Sequence, residues 1–171
     1  GNRIPGIRAS EEQAYWRDVG TIDAYFAAHQ DLLGAEPKLD LFNPRWRIGS
    51  SNYQGPSPKF LHAELDNSII SAGGLIKGAH IRNSIVRREV IMDEDVELDE
   101  CVIMDYAVLR KGARLRRAIV DRYNTIEAGD RIGYDADADR RRFTVTDSGI
   151  VVVPRGQGME IRAEERMFRY L

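Results

Sequence analysis

The sequence predicts a mainly β fold in which short parallel strands form three-sided coils that stack on one another. A small residue followed by two aliphatic ones recurs four times, at Ser68-Ile69-Ile70, Ser84-Ile85-Val86, Cys101-Val102-Ile103 and Ala118-Ile119-Val120. The starting positions of these copies are almost evenly spaced along the chain. Two further aliphatic groups follow in each unit, such as Leu75-Ile76 and Ile81 in the first. Each group is too short to bury its own apolar face, so the coils must stack.

An amphipathic helix is predicted upstream of these repeats. Thr21 is a suitable N-cap, Asp23 lies in the first turn, and apolar residues keep helical spacing as far as Leu33, before Gly34. Downstream, residues 135–142 predict a turn or short helix, and the Val-rich segments 143–145 and 149–153 predict a hairpin. We therefore predict a helical end of another domain at 1–48, a linker at 49–66, the coil domain at 67–155 and a tail of helical composition at 156–171.

Composition excludes several classes of partner. The net charge of −2 argues against a nucleic-acid or membrane partner, and no segment approaches the ~18 apolar residues of a membrane span. Cys101 is the single cysteine, which excludes an internal disulfide and agrees with a reducing cytoplasm. Because Cys101 occupies the repeat position of Ser84 and Ala118, we interpret it as a small core residue rather than a catalytic thiol.

The charged residues follow the same repeat. The spacing between Cys101 and Ala118 also separates a set of acidic residues from a set of basic ones. The pairs related in this way are 93–110, 94–111, 97–114, 99–116 and 100–117. The same period relates Arg88 to Asp105 and Asp105 to Arg122. Residues one coil apart are separated by about 4.8 Å. The basic run at 110–117 is therefore predicted to form ion pairs between coils rather than to bind a polyanion.

The segment Tyr15 to Tyr25, with its Trp16-Arg17-Asp18-Val19-Gly20 motif, resembles the end of the nucleotidyltransferase domain of the bacterial glucose-1-phosphate adenylyltransferases. Later segments match that family in the same order, over roughly residues 13 to 155. They are Phe42-Asn43-x-x-Trp46, Pro58-Lys59-Phe60, the coils, Arg141-Arg142-Phe143 and Ser148 to Val153. The resemblance implies left-handed parallel β-helix coils of the hexapeptide type, preceded by the α-helical end of an α/β nucleotidyltransferase domain.

The resemblance also implies a reaction, in which ATP and glucose 1-phosphate give ADP-glucose and pyrophosphate with Mg²⁺ in bacterial glycogen synthesis. Asp18 matches the family's metal-binding aspartate, and hard oxygen ligands suit Mg²⁺. The alternative role of Asp18 is to cap the helix or to pair with Arg17. The family's glycine-rich nucleotide loop and sugar-phosphate lysine lie upstream of the residues matched here, so we expect this chain to be a C-terminal portion that is inactive alone.

Arg122 and Arg155 match positions at which the family binds anionic metabolite effectors. Guanidinium groups suit phosphate and carboxylate geometry. For Arg122 an ion pair with Asp105 is an equal alternative, whereas Arg155 has no partner by spacing. Another basic residue is frequent four positions after Arg155, but this chain has Met159 there. The family further implies a cytoplasmic homotetramer, assembled partly through the coils.

Three other functions remain open at this point. A hexapeptide acyltransferase shares the coils and uses a histidine base at a trimer cleft, for which His62 and His80 are the candidates. A different sugar nucleotidyltransferase would carry the same motif, because the residues that recognise base and sugar lie upstream. The chain could also be a non-catalytic regulatory or oligomerisation module.

Overall fold

The computed structural model describes residues 15–45 and 55–156. Predictions for Trp46, for the start of the linker and for the tail beyond Gly156 lie outside the described residues. Within the described part the chain forms a left-handed parallel β-helix, with one helix, α1 (Ile22–Gln30), before it and a second, α2 (Ala136–Arg140), near its end. The predicted fold class is confirmed.

Three sides make up each coil. The first side contains β1 (Lys59–Leu61), β4 (Leu75–Lys77), β7 (Ile91–Met92), β9 (Val108–Leu109) and β11 (Thr125–Ile126). The second side contains β2 (Glu64–Asp66), β5 (His80–Arg82), the first halves of β8 (Glu97–Ile103) and β10 (Arg114–Val120), and β12 (Arg131–Ile132). The third side contains β3 (Ile69–Ile70), β6 (Ile85–Val86), the second halves of β8 and β10, and β14 (Val151–Val153).

The parallel pairing begins earlier than the repeat pattern indicates. β1 pairs with β4 in the register Lys59↔Leu75, and β2 pairs with β5 in the register Glu64↔His80. Both strands lie in the segment predicted as a linker. Phe60, Leu61 and Leu65 are exposed there, at 40%, 38% and 45% of their surface, which explains why their pattern does not match the later units.

Inward-facing aliphatic side chains form three continuous columns inside the coils. The residues in them are 0–4% exposed: Ile76, Met92, Leu109 and Ile126; Ile81, Leu98, Leu115 and Ile132; Val86, Ile103, Val120 and Val153. Each column contains one side chain from each coil, so its burial requires the coils above and below. Cys101 is fully buried in this core, and burial raises the pKa of its thiol to about 12. Its predicted role as a small core residue agrees with this environment.

The chain turns between sides through residues in the left-handed backbone region. One corner repeats this conformation at His62, Gly78, Asp95, Gly112 and Gly129; a second repeats it at Asn67, Asn83, Glu100 and Arg117; a third repeats it at Gly73, Glu89, Tyr106 and Tyr123. Positive φ is unfavourable for residues with a side chain. Neighbouring coils offset that cost with side-chain contacts, as in the Asn67 Nδ2–Asn83 Oδ1 hydrogen bond of 2.7 Å.

A detour after β12 closes the last coil. α2 and β13 (Thr144–Val145) lie between β12 and β14, and β13 pairs antiparallel with β14, which confirms the predicted hairpin. Asp139 of α2 is buried and accepts a 2.9 Å hydrogen bond from the Gly133 amide. Arg142 binds both carboxylate oxygens of Asp130, at 2.8 and 2.6 Å. These contacts hold the detour against the end of the stack.

Helix α1 packs on the outer surface of the third side. Phe26 is 5% exposed and lies against Val102, Ile119 and Ile150. The helix starts at the predicted N-cap, where Thr21 Oγ1 accepts from the Ala24 amide at 3.1 Å. It ends at Gln30, before Leu33, and the chain then reverses so that the Gly34 amide donates to Asn67 Oδ1 at 2.6 Å.

Most of the predicted ion pairs between coils are present. The pairs Asp93–Arg110, Glu94–Lys111, Glu97–Arg114, Glu100–Arg117 and Arg88–Asp105 have N–O distances of 3.9, 3.5, 3.2, 3.2 and 3.3 Å. Two of the pairs that the period relates do not form, Asp99–Arg116 and the alternative Asp105–Arg122. Asp99 pairs with Arg82 of the preceding coil instead of Arg116, and Arg122 pairs with its neighbour Asp121 instead of Asp105.

Gly133 provides a test of the close contact between the chain after β12 and the Arg116 carbonyl of the preceding coil. Its φ is +85°, and a Cβ there would lie 1.8 Å from the Arg116 carbonyl oxygen, whereas Gly129 has φ +71° and nothing within 4 Å. We expect Gly129→Ala to cost roughly 1–2 kcal/mol for the left-handed backbone. Gly133→Ala should cost clearly more in urea unfolding. Equal losses for the two variants would contradict the close contact.

The pair Glu97–Arg114 provides a test of the ion pairs between coils. Glu97→Lys places two cations on adjacent coils, and we expect a loss of about 1 kcal/mol in the free energy of unfolding. Adding Arg114→Glu should restore part of that loss, and the coupling should shrink at high salt because the pair is half exposed. Strictly additive effects in the double-mutant cycle would show that the pair contributes nothing.

Candidate functional site

Asp18 lies in the irregular segment just before α1, at residues 15–20. Its side chain is exposed, and its Oδ1 accepts a hydrogen bond from the Gly20 amide at 2.9 Å. Gly20 permits this fold-back, because a Cβ at that position would lie 3.3 Å from the same oxygen. Among the described residues Asp18 makes no ion pair and Thr21 is the N-cap, so neither alternative role of Asp18, pairing with Arg17 or capping the helix, is observed. One carboxylate oxygen is thus held by the backbone while the group remains open to solvent.

Arg17 points to a different acid. Arg17 Nη2 lies 2.5 Å from Oδ2 of Asp31, a residue that is 8% exposed at the C-cap of α1. Lys38 Nζ and the Tyr15 hydroxyl also bind this carboxylate, at 2.8 and 3.2 Å. Burial alone would raise the pKa of Asp31, but these hydrogen bonds outweigh it and hold the pKa below its usual value. The segment that carries Asp18 is therefore attached to the end of the helix.

Arg122 and Arg155 lie on neighbouring coils. Val120 pairs with Val153, and the Gly156 amide donates to the Arg122 carbonyl at 3.1 Å, which aligns the two arginines one coil apart. Both are exposed. The Arg155 guanidinium lies 5.1 Å from the ring centroid of Tyr123, and the Tyr123 ring stacks on Tyr106 at 5.2 Å. The sequence identified both arginines but not that they are adjacent.

Asp105, which the sequence relates to Arg88 and Arg122, lies one coil before Arg122, and Arg87 is a further partner that the spacing does not indicate. Asp105 is buried and accepts from Arg87 Nε at 3.0 Å and from Arg88 Nη2 at 3.3 Å. Burial would raise the pKa of Asp105, but the two arginines hold it below its usual value. Burial raises the pKa of Tyr25 of α1, while Arg87 and Arg122 lower it and Asp121 and Asp105 raise it. The period of the charged pairs also relates Tyr106 to Tyr123, so the same spacing could have identified the aromatic stack.

At the position that Arg122 occupies in each coil, the sign of the charge first alternates from coil to coil and is then the same in the last two. Continuing the register gives Arg88, Asp105, Arg122 and Arg155 at successive coils. Like charges directly opposite one another on neighbouring strands are destabilising. Arg122 and Arg155 are therefore neighbouring like charges, and Asp121 beside Arg122 partly offsets their repulsion.

The two histidine candidates lie elsewhere. His80 Nδ1 is 3.0 Å from Glu64 Oε2, on the outer surface of the second side. It lines a groove of about 580 Å³ together with Arg82, Asp99, Arg116 and Tyr134. His62 is exposed at a coil corner, with φ 53°. The structure does not bring the two histidines into one site with Arg122 and Arg155.

Two kinds of feature are absent from the described residues. No three or more His, Cys, Asp or Glu side chains in residues 15–45 and 55–156 are grouped so as to hold a metal ion. In the same ranges, none of the helices combines the length and apolarity that crossing a membrane requires. Asp18 is accordingly one possible ligand rather than a complete metal site.

Known proteins resemble this chain over most of its length. It is 46% identical over 154 residues to glucose-1-phosphate adenylyltransferase from Thermodesulfovibrio yellowstonii, covering 90% of this chain and 38% of the relative. The enzyme of the same name from Deinococcus deserti is 41% identical over 161 residues, covering 90% and 38%. That from an Anaeromyxobacter species is 35% identical over 167 residues, covering 93% and 40%.

The chain thus spans about two fifths of the length of these relatives. A family model described as GlmU-like, C-terminal hexapeptide matches residues 56–153, which are the coils and the detour after them. The match agrees with the parallel coils, the buried aliphatic columns and the regular period of the repeat. The chain belongs to the GlmU-like C-terminal hexapeptide family.

Proposed function

We propose that this chain is the C-terminal part of a glucose-1-phosphate adenylyltransferase. The complete enzyme makes ADP-glucose and pyrophosphate from ATP and glucose 1-phosphate for glycogen synthesis. One observation carries the proposal. Helix α1 directly follows the Trp16-Arg17-Asp18 motif, and its Phe26 packs on the coils, so the motif and the coils belong to one packed structure. The names of the similar proteins and the identity of 35–46% support it.

Asp18 is proposed to contribute one ligand to Mg²⁺ in the complete enzyme. The bound metal would offset charge on the phosphoryl oxygens and on the departing pyrophosphate. The exposed carboxylate fits this role because a hard oxygen faces solvent and the Gly20 amide orients it. The remaining ligands would come from residues outside the described part of this chain.

Arg122 and Arg155 are proposed to bind an anionic metabolite effector. Their support is the pair of exposed arginines on neighbouring coils and the Tyr123 ring beside Arg155, with Asp121 next to Arg122 as the competing anion. Tyr25 of α1 lies beside the coils as well, packed with Phe26 against the Val102 and Ile119 cluster. An effector bound here would contact the same coil stack on which α1 packs through Phe26. We further propose that the enzyme is a cytoplasmic homotetramer assembled partly through the coils.

Activity assays test the proposed reaction. The complete enzyme that contains these residues should form ADP-glucose from ATP and glucose 1-phosphate with Mg²⁺. The 171-residue chain alone should form none, because it spans only two fifths of its relatives. ADP-glucose synthesis by the chain alone would contradict its assignment as a part. A preference for GTP and mannose 1-phosphate would indicate another nucleotidyltransferase, and a trimer that consumes acetyl-CoA would indicate an acyltransferase.

Thermal-shift assays test the effector site. A ligand at 100 times its Kd stabilises the folded chain by about 2.7 kcal/mol, so fructose 1,6-bisphosphate, pyruvate or AMP should raise Tm if it binds here. Arg122→Ala and Arg155→Ala should each abolish the shift. Arg141→Ala, which removes an exposed arginine near α2, should leave the shift unchanged. A shift that persists in both site variants would place the effector elsewhere.

A further inference from the structure

Asp31 occupies a position that costs free energy unless something offsets it. Its carboxylate is 8% exposed and lies at the C-cap of α1, where the helix dipole disfavours negative charge. Burying a carboxylate is expensive without partners. The described structure supplies three hydrogen-bond donors, from Tyr15, Arg17 and Lys38. Contacts with residues that precede and follow the helix in sequence thus offset the cost of a carboxylate at this position.

Two of these donors belong to the segment that carries Asp18. Arg17 precedes Asp18 directly, and Tyr15 lies three residues before it. Asp31 therefore fixes one end of the segment, while the Thr21 cap fixes the other through its 3.1 Å bond from the Ala24 amide. Between these two points, the Gly20 amide holds one carboxylate oxygen of Asp18. The direction in which Asp18 presents its free oxygen follows from these three contacts.

The contact to Lys38 extends the same attachment to the chain after the helix. The Lys38 amide donates to the Asp31 carbonyl at 2.9 Å while its Nζ binds the carboxylate. The loop from 31 to 38 is closed on itself in this way, and Gly34 within it is bound to Asn67 at the coil corner. Asp31 thus links three elements: the Asp18 segment, the end of α1 and the loop that contacts the coils.

We propose that Asp31 is a positioning residue for Asp18, acting through Arg17 and Tyr15. The inference rests on the proposed function, because orientation of Asp18 matters only if its carboxylate binds the metal. Asp31 does not itself contact the metal in this role. Its carboxylate fixes the backbone next to Asp18 and so orients the Asp18 side chain, as hydrogen-bond partners of metal ligands do without contacting the metal.

The test measures metal binding in the complete enzyme. Mn²⁺, used in place of Mg²⁺, is titrated and its free concentration followed by electron paramagnetic resonance, and the Mg²⁺ concentration for half-maximal activity is measured in parallel. Asp31→Asn should lower the affinity for Mn²⁺ and raise the Mg²⁺ concentration for half-maximal activity, each on the order of 10-fold. The kcat at saturating Mg²⁺ should be unchanged. Asp130→Asn is the matched control, since Asp130 is a largely buried carboxylate bound by Arg142 on the coil stack. It should leave both quantities unchanged.

Further variants separate positioning from stability. Arg17→Gln removes the link next to Asp18 while Asp31 keeps Lys38, and because Arg17 is 30% exposed we expect this variant to fold. It should reproduce the Asp31→Asn effect, and the double variant should add nothing further. Wild-type Mn²⁺ affinity in folded Asp31→Asn or in Arg17→Gln would overturn the proposal. If the wild-type enzyme forms no ADP-glucose, the proposed function fails, while the Mn²⁺ titration still decides the role of Asp31.

Discussion

Parallel hydrogen bonding between equivalent residues of successive coils is the constraint on which the rest of the structure depends. It sets Leu98 under Leu115 and Val120 under Val153, so that each inward side chain meets its equivalents in the next coils. A shift of one residue would turn the buried columns outward and place charges inside. The ion pairs add little free energy individually, but pairs such as Glu100–Arg117 form only in this register. They disfavour slipped arrangements more than they stabilise the correct one.

The register also decides what the surface offers. It places Arg155 one coil beyond Arg122, and it stacks Tyr123 on Tyr106 beside them. The outer face of the third side is apolar at Val102 and Ile119, and Phe26 of α1 covers it. Because the chain enters α1 from the Asp18 segment, the coils hold a candidate metal ligand and a candidate anion site on a common scaffold.

Much of the coil domain could be predicted from the sequence because its period is short and strict. The aliphatic groups predicted three sides, and the period of the charges predicted pairs such as Glu97–Arg114. The strands of the first coil were not predicted, because Phe60 and Leu65 are exposed at the end of the stack and burial imposes no repeat pattern there. Spacing also failed for Arg122, since a neighbouring acid, Asp121, is closer than the one a coil away. The Asp31 contacts could not be predicted, because Arg17, Asp31 and Lys38 come together only when the chain folds back around α1.

Because Phe26 packs on Val102, Ile119 and Ile150, α1 and the coils should unfold as one cooperative unit, and this unit is what lets the coils hold the segment that carries Asp18. Native-state hydrogen exchange under increasing denaturant measures this directly. Amides in the middle of α1 should open with the same free energy and denaturant dependence as those of β8 and β10. Truncating Phe26 to Ala should make the helix open independently and leave the coil amides protected. Local opening of α1 in the unmodified chain, at a free energy well below that of the coils, would contradict the claim.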